Sequence, residues 1–234
     1  ACNRAATRCR RGMAADHRYT GAMNSLRIRG RIGATFLIVM AALALAVGLW
    51  AGSRWLGPAV PALQTAVMYP SRLVVPDFGL QRADSRALTQ ADLHGHWTVV
   101  FFGFTHCPDV CPVTLAAFKQ VWSVLSAQGA TDKVRFAFIS VDPERDTPEQ
   151  LARYVEFFNK DFVAATGTDD ELTRLTRSLG LVYARIPDPT GGYSVDHSAS
   201  AVIIDPQGRR AGLFRPPFEV GPISADLLAL AGSR

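Results

Sequence analysis

Hydrophobic and polar positions divide this chain into an unbroken apolar stretch and a longer region of short periodic segments. The stretch is Ile32 to Gly52, with no charged residue. At about 1.5 Å per residue, a helix of that length reaches about 30 Å, the thickness of a bilayer's hydrocarbon core. Trp50 and Trp55 lie at its far end, where interfacial aromatics belong. The pattern predicts a transmembrane anchor over 32–52; a cleaved signal segment is the rival reading.

Beyond it, residues 53–69, with Gly57, Pro58 and Pro61, read as a linker, and the folded part as 70–234. Leu73-Val74-Val75 and Phe78 read as short strands broken by Pro76. Trp97 to Phe104 is nearly continuous apolar sequence and suits a strand buried on both faces. After Pro112 the apolar spacing becomes helical, through Leu115, Phe118, Val121, Trp122 and Leu125. Val134 to Val141 reads as a second buried strand. Thr147-Pro148-Glu149-Gln150 and Thr168-Asp169-Asp170-Glu171 are capping sequences that open helices, the second stopping at Gly180. Leu181–Ile186 reads as a strand, and the loop 187–192 follows it. Ala201–Ile204 and Gly212–Phe214 flank the turn Asp205-Pro206-Gln207-Gly208 as a hairpin, and a last helix covers about 223–231. Strands leading directly into helices predict an α/β, thioredoxin-like fold.

Charge sharpens the topology. Residues 1–31 carry eight arginines against one acid, Asp16, whereas the remainder carries 17 basic and 19 acidic residues. The formal charge of +5 therefore belongs to the arm. A basic arm beside an apolar run is explained by the positive-inside rule without nucleic-acid binding. The N-terminus is expected in the cytoplasm and the domain outside, in the periplasm of a bacterial inner membrane. An Arg-rich, acid-poor start also suits a mitochondrial inner-membrane protein facing the intermembrane space. Met23 is a candidate for the true start, with 1–22 an over-extended beginning.

Four cysteines are present. Cys2 and Cys9 fall in the arm, Cys107 and Cys111 in the domain. A disulfide framework would use more cysteines at wider spacing; one close pair points to chemistry. Cys107 stands where a core strand gives way to a helix, the place where sites form in open α/β sheets. A helix N-terminus lowers the pKa of a nearby thiol, and the thiolate is the form that attacks disulfides and binds metals. With Cys111 in the helix's first turn, both sulfurs share one face. The pair is then placed to bind one ion or to close a disulfide. The spacing is Cys-x-x-x-Cys, not the Cys-x-x-Cys of thioredoxin-like redox enzymes. Two thiolates suit Cu(I); an added imidazole suits Cu(II) or zinc.

The third donor must come from five histidines. His17 is in the arm; His94 and His96 flank Gly95 and read as a solvated turn. His106 is placed to tune or cover the cysteines, and His197 precedes the strand 201–204. Asp142, Arg145 and Asp146 follow the strand 134–141 and read either as caps with a surface ion pair or as groups supporting the site, with Asp196 beside His197.

Phe104-Thr105-His106-Cys107-Pro108-Asp109-Val110-Cys111-Pro112 resembles the motif of the Sco/SenC family of copper chaperones for cytochrome c oxidase assembly. Ser140-Val141-Asp142-Pro143-Glu144-Arg145-Asp146-Thr147-Pro148 and Tyr193-Ser194-Val195-Asp196-His197-Ser198-Ala199 are similar too, in family order. The resemblance covers roughly 70–234, and the family also carries an N-terminal membrane anchor. It implies that Cys107, Cys111 and His197 hold copper, as Cu(I) or Cu(II). It implies delivery to the copper-bearing subunit of cytochrome c oxidase, with a copper donor and a thiol reductant as further partners. Delivery is not turnover, so the expectation is a metallochaperone and not an enzyme. The rival is a membrane-anchored thiol–disulfide oxidoreductase cycling a Cys107–Cys111 disulfide. A peroxidase using one reactive cysteine is a further alternative.

Overall fold

The computed structural model describes residues 22–55, 63–189 and 191–232. The first 21 residues of the basic arm, with Cys2, Cys9 and His17, lie outside the described residues, as does 56–62 of the linker. The described chain falls into an N-terminal helical unit and a folded domain.

The N-terminal unit is α1, Ala22–Trp55. Within it Gly33–Gly52 is apolar and long enough to cross a membrane, and none of it is buried.

The domain is built on an eight-stranded mixed sheet. Its strands are β1 (Val67–Val74), β2 (Gly79–Arg82), β3 (Ala87–Thr89), β4 (Trp97–Gly103), β5 (Val134–Ser140), β6 (Val163–Thr166), β9 (Ala201–Ile204) and β10 (Arg209–Phe214), in spatial order β1-β10-β9-β4-β5-β6-β2-β3. β4, β5 and β6 are parallel neighbours. Their crossovers are the helices α2 (Val110–Ala127) and α3 (Pro148–Phe158). Parallel neighbours require such crossovers, and the helices cover the sheet. Every residue of β4 is buried, as its continuous apolar sequence predicts. β7 (Tyr183–Pro187) and β8 (Tyr193–His197) form a separate antiparallel hairpin, and α4 (Asp169–Ser178) and α5 (Val220–Gly232) complete the domain.

Alternation along β4 and β5 sorts the core into two layers. Phe101, Phe136 and Phe138 face α2 and α3; their rings meet Phe118 and Tyr154 at 5.0–6.2 Å between centroids. Val100, Ala137 and Ile139 face the other way, against Leu175 and Leu179 around α4. Each fully buried phenylalanine contributes about 1.5–3 kcal/mol, so this double layer fixes where β4 ends.

Several elements differ from the sequence pattern. β1 begins at Val67, inside the stretch read as linker, and runs through Pro70, which an edge strand tolerates. β6 and β3 are three or four residues long, too short for their pattern to register. α2 begins at Val110, so Pro112 lies inside its first turn, where a missing N–H costs nothing. His96 is not in a solvated turn: it is 3% exposed. Burial, then the nearby Arg135 charge, lowers its pKa. His94 is exposed, as expected.

Candidate metal centre

Three segments converge at the C-terminal end of β4. The first is the loop Phe104–Asp109. Cys107 N–H donates to the Phe104 carbonyl at 3.3 Å, which folds the loop back on the strand and leaves Cys107 half-buried. The second is the first turn of α2, where Cys111 is fully buried and donates its backbone N–H to Cys107 Sγ at 3.4 Å. The third is the end of β8. There His197 Nε2 lies 3.5 Å from Cys111 Sγ, and its ring packs edge-on against Phe101 and Phe104.

One donor atom from each of Cys107, Cys111 and His197 lies within 4.8 Å of the other two, and both cysteines are free thiols. Two soft sulfurs and one imidazole around a single point suit a copper ion in either oxidation state, and also zinc. The imidazole is prepared for the role. Burial lowers the pKa of His197 and so favours the neutral ring. Its Nδ1 is 3.2 Å from the Ser198 carbonyl, to which a neutral ring donates, leaving the Nε2 lone pair towards the sulfurs.

The cysteines are not equivalent. A helix N-terminus was expected to lower their pKa values, but burial dominates at Cys111 and pushes its thiol well up. A divalent or soft metal ion, not the helix end, must displace that proton.

Asp142, Arg145 and Asp146 are not surface caps. Both carboxylates are fully buried. Asp146 accepts from Thr105 N–H at 2.8 Å and from the hydroxyls of Thr105 and Ser140, tying the cysteine loop to the end of β5. Asp142 accepts from Arg145 Nε and, at 2.7 Å, from the Tyr193 hydroxyl. Burial, then that hydrogen bond to Asp142, pushes the Tyr193 phenol up to about 12, so it stays protonated and donates. Asp196 is exposed; its charge opposes the effect of burial on His197 but makes no part of the donor group. His106 lies outside the group too, half-exposed with Nδ1 3.5 Å from Asp146.

Sequence reasoning missed Gly103 and Tyr193. A glycine ending an otherwise bulky strand was the available signal for the first. Tyr193 appeared only as the first residue of the Tyr193–Ala199 motif, with no role of its own, because its partners are 51 and 48 residues away.

Comparison with known proteins places this arrangement among relatives. The family described as SCO1/SenC matches residues 67–232. The human mitochondrial SCO1 homolog is 36% identical over 151 residues, 64% of this chain and 50% of that protein. The cattle mitochondrial SCO2 homolog is 39% identical over 133 residues, 56% of this chain and 50% of its own length. The chain thus spans about half the length of these mitochondrial relatives. Among solved structures, copper-bound ScoI of Bradyrhizobium japonicum superposes with a TM-score of 0.61 at 33% identity, covering 67% of this chain and 99% of that one.

Proposed function

Because the chain belongs to the SCO1/SenC family, we propose that it binds copper through Cys107, Cys111 and His197 and delivers it during assembly of cytochrome c oxidase. The observation that carries the reading is the meeting of two free thiols and an imidazole within 4.8 Å. Copper is cargo here. Cys107 is half-buried, so an acceptor's sulfur or imidazole can reach the ion and replace donors one at a time. Cys111 is fully buried and remains as the last donor. Oxidation of the pair to a disulfide, with loss of two protons and two electrons to an acceptor, removes both thiolates and ends binding.

The apolar helix Gly33–Gly52 serves as a single-span membrane anchor in this reading. Its arginine-rich N-terminal flank stays in the cytoplasm of a bacterial cell, and the domain faces the periplasm. An oxidising compartment makes a thiol reductant a necessary partner of the loading cycle.

One feature favours thiol–disulfide exchange as a second role: an accessible Cys107 beside a buried Cys111 is the asymmetry of an attacking and a resolving thiol. Anaerobic copper titration of the reduced protein, with insulin reduction alongside, separates the readings. Delivery predicts one ion per chain, thiolate-to-copper charge-transfer absorption, and loss of binding after oxidation. It also predicts that His197→Ala weakens Cu(II) more than Cu(I), since two thiolates still suit the softer ion. Unchanged Cu(II) affinity in His197→Ala would contradict the ligand set. Rapid insulin reduction without copper retention would favour exchange.

A further inference from the structure

The donor atoms arrive on two bodies that share no backbone hydrogen-bond ladder. The cysteines belong to the loop and helix that continue β4. His197 belongs to the β7–β8 hairpin, which lies outside the eight-stranded sheet. The distance between thiols and imidazole is therefore set by the docking of the hairpin together with its continuation into β9, whose Ala201 pairs with Phe101.

One short turn, Asp142–Asp146, touches both bodies. Its Asp146 end holds Thr105, two residues before Cys107. Its other end grips Tyr193, at the start of the strand that ends in His197. Tyr193 Oη donates to Asp142 Oδ1 at 2.7 Å, and Arg145 Nη1 donates to the Tyr193 carbonyl at 3.0 Å. The Arg145 guanidinium lies 4.0 Å from the centroid of the Tyr193 ring and 5.8 Å from that of Phe104. Phe104 in turn presents its ring to His197 at 6.1 Å. Arg145 is itself paired to the fully buried Asp142. A buried, hydrogen-bonded charge network of this kind holds one geometry, because any other leaves a carboxylate unpaired in the core.

We propose that Arg145 and Tyr193 are positioning residues that latch the hairpin and so set His197 at bonding distance from the two sulfurs. This rests on the ligand set proposed above. Among the hairpin's other ties, the pairs of Arg185 with Asp169 and Glu144 use half-exposed carboxylates and hold it weakly, while buried Val195 adds apolar packing. Arg145 and Tyr193 hydrogen-bond to the hairpin and to the Asp142 turn, and to neither cysteine. Loss of the latch leaves both thiolates in place.

The test uses the full-length, reduced protein with Tyr193→Phe, which removes only the hydroxyl, and Arg145→Lys, which keeps the charge but not the planar two-armed donor. Cu(II) affinity and its electron paramagnetic resonance spectrum are measured beside Cu(I) affinity. Each variant should lose about tenfold to a hundredfold in Cu(II) affinity, the range for groups that orient a metal ligand. Its spectrum should move towards that of His197→Ala, with Cu(I) affinity unchanged. In a His197→Ala background, Tyr193→Phe should cost nothing more. Wild-type Cu(II) affinity and spectrum in both single variants, beside a weakened His197→Ala, would overturn the latch and leave the ligand set standing. So would an equal further loss in the double variant, which would mark a general structural role. Unchanged Cu(II) binding in His197→Ala itself would remove the ligand set and the latch together.

Discussion

Gly103 and Cys111 occupy space that only one of them can fill. A Cβ at position 103 would fall 2.7 Å from Cys111 Sγ and 2.8 Å from the Phe138 ring. The last residue of β4 is therefore bare so that a buried thiol can sit against the strand end. Two effects oppose each other in Gly103→Ala. Relief of glycine's conformational freedom in a strand favours alanine by about 0.5–1 kcal/mol. Overpacking a full core costs about 1–3 kcal/mol, and the atoms struck are a sulfur and an aromatic ring with no room to retreat. The clash should win. Denaturant unfolding should show a net loss of stability, and copper titration a weaker site, because Cys111 is the atom displaced.

What the sequence made legible follows from what is local. The continuous apolar run of β4, the Thr147 and Thr168 caps and the turn at Asp205 each depend on neighbours within a few residues. The donor group was reachable because Cys107 and Cys111 sit at one strand–helix junction; His197, 86 positions beyond Cys111, was reached only through family resemblance. Tertiary facts stayed hidden. β6 pairs with β2, Gln81 with Thr166 and Arg82 with Ala165, across about half the domain's sequence, and nothing in a four-residue segment specifies that partner. Whether Asp142 and Asp146 were surface caps or buried clamps turned on partners outside their own turn, Thr105 and Tyr193. The upward shift of the Cys111 thiol stayed hidden for a related reason: a helix end is visible in sequence, and complete burial is not.

Asp146 and His106 give a paired contrast. Asp146 has no exposure and accepts from two hydroxyls and one amide. Asp146→Ala leaves those donors buried and unpaired, at about 1–3 kcal/mol for each that water cannot reach. It should destabilise the domain by more than about 2 kcal/mol and loosen the loop that carries Cys107, so copper binding should weaken too. His106→Ala removes a half-exposed ring whose contact with Asp146 is 3.5 Å. Exposed pairs contribute about 0–1 kcal/mol, so its stability should stay close to wild type. Urea unfolding of the two variants checks both halves.

His96 should make the domain acid-sensitive. Its folded pKa is lowered from 6.5, first by burial and then by Arg135, against opposing contributions from the His96 and Leu93 backbone and from Asp92. The unfolded chain therefore binds a proton that the folded chain refuses. Stability from this source is fully present above about pH 6.5 and is lost as pH falls below it, by at most about 1.4 kcal/mol per pH unit. His197, also lowered by burial, adds a change of the same sign. Unfolding free energies measured at about pH 7.5 and about pH 5.5 should fall in wild type. They should fall less in His96→Leu, and less again with His197→Ala added. A wild-type slope in His96→Leu would mean that the ring is already protonated or solvated in the fold.

Asp226 holds the beginning of the domain in place. Its side chain is 1% exposed on α5, and it accepts from the backbone N–H groups of Gln64, Thr65 and Ala66 at 2.6–2.8 Å, and from the Thr65 hydroxyl. One carboxylate thus gathers consecutive amides of the segment that leads into β1. Charge-assisted hydrogen bonds are worth about 1.5–3 kcal/mol each to a paired group, but the ordered segment opposes them with about 1–2 kcal/mol of backbone entropy per residue. The balance is small and set by the charge. Asp226→Asn keeps the volume, removes the charge and turns one acceptor into a donor facing the same amides. It should release the segment before it unfolds the domain. Hydrogen exchange at Gln64, Thr65 and Ala66 should accelerate strongly while amides of β4 and β5 keep their protection, and the loss in unfolding free energy should be about 2 kcal/mol. Uniform acceleration across β4 and β5 would show instead that Asp226 supports the whole core through α5.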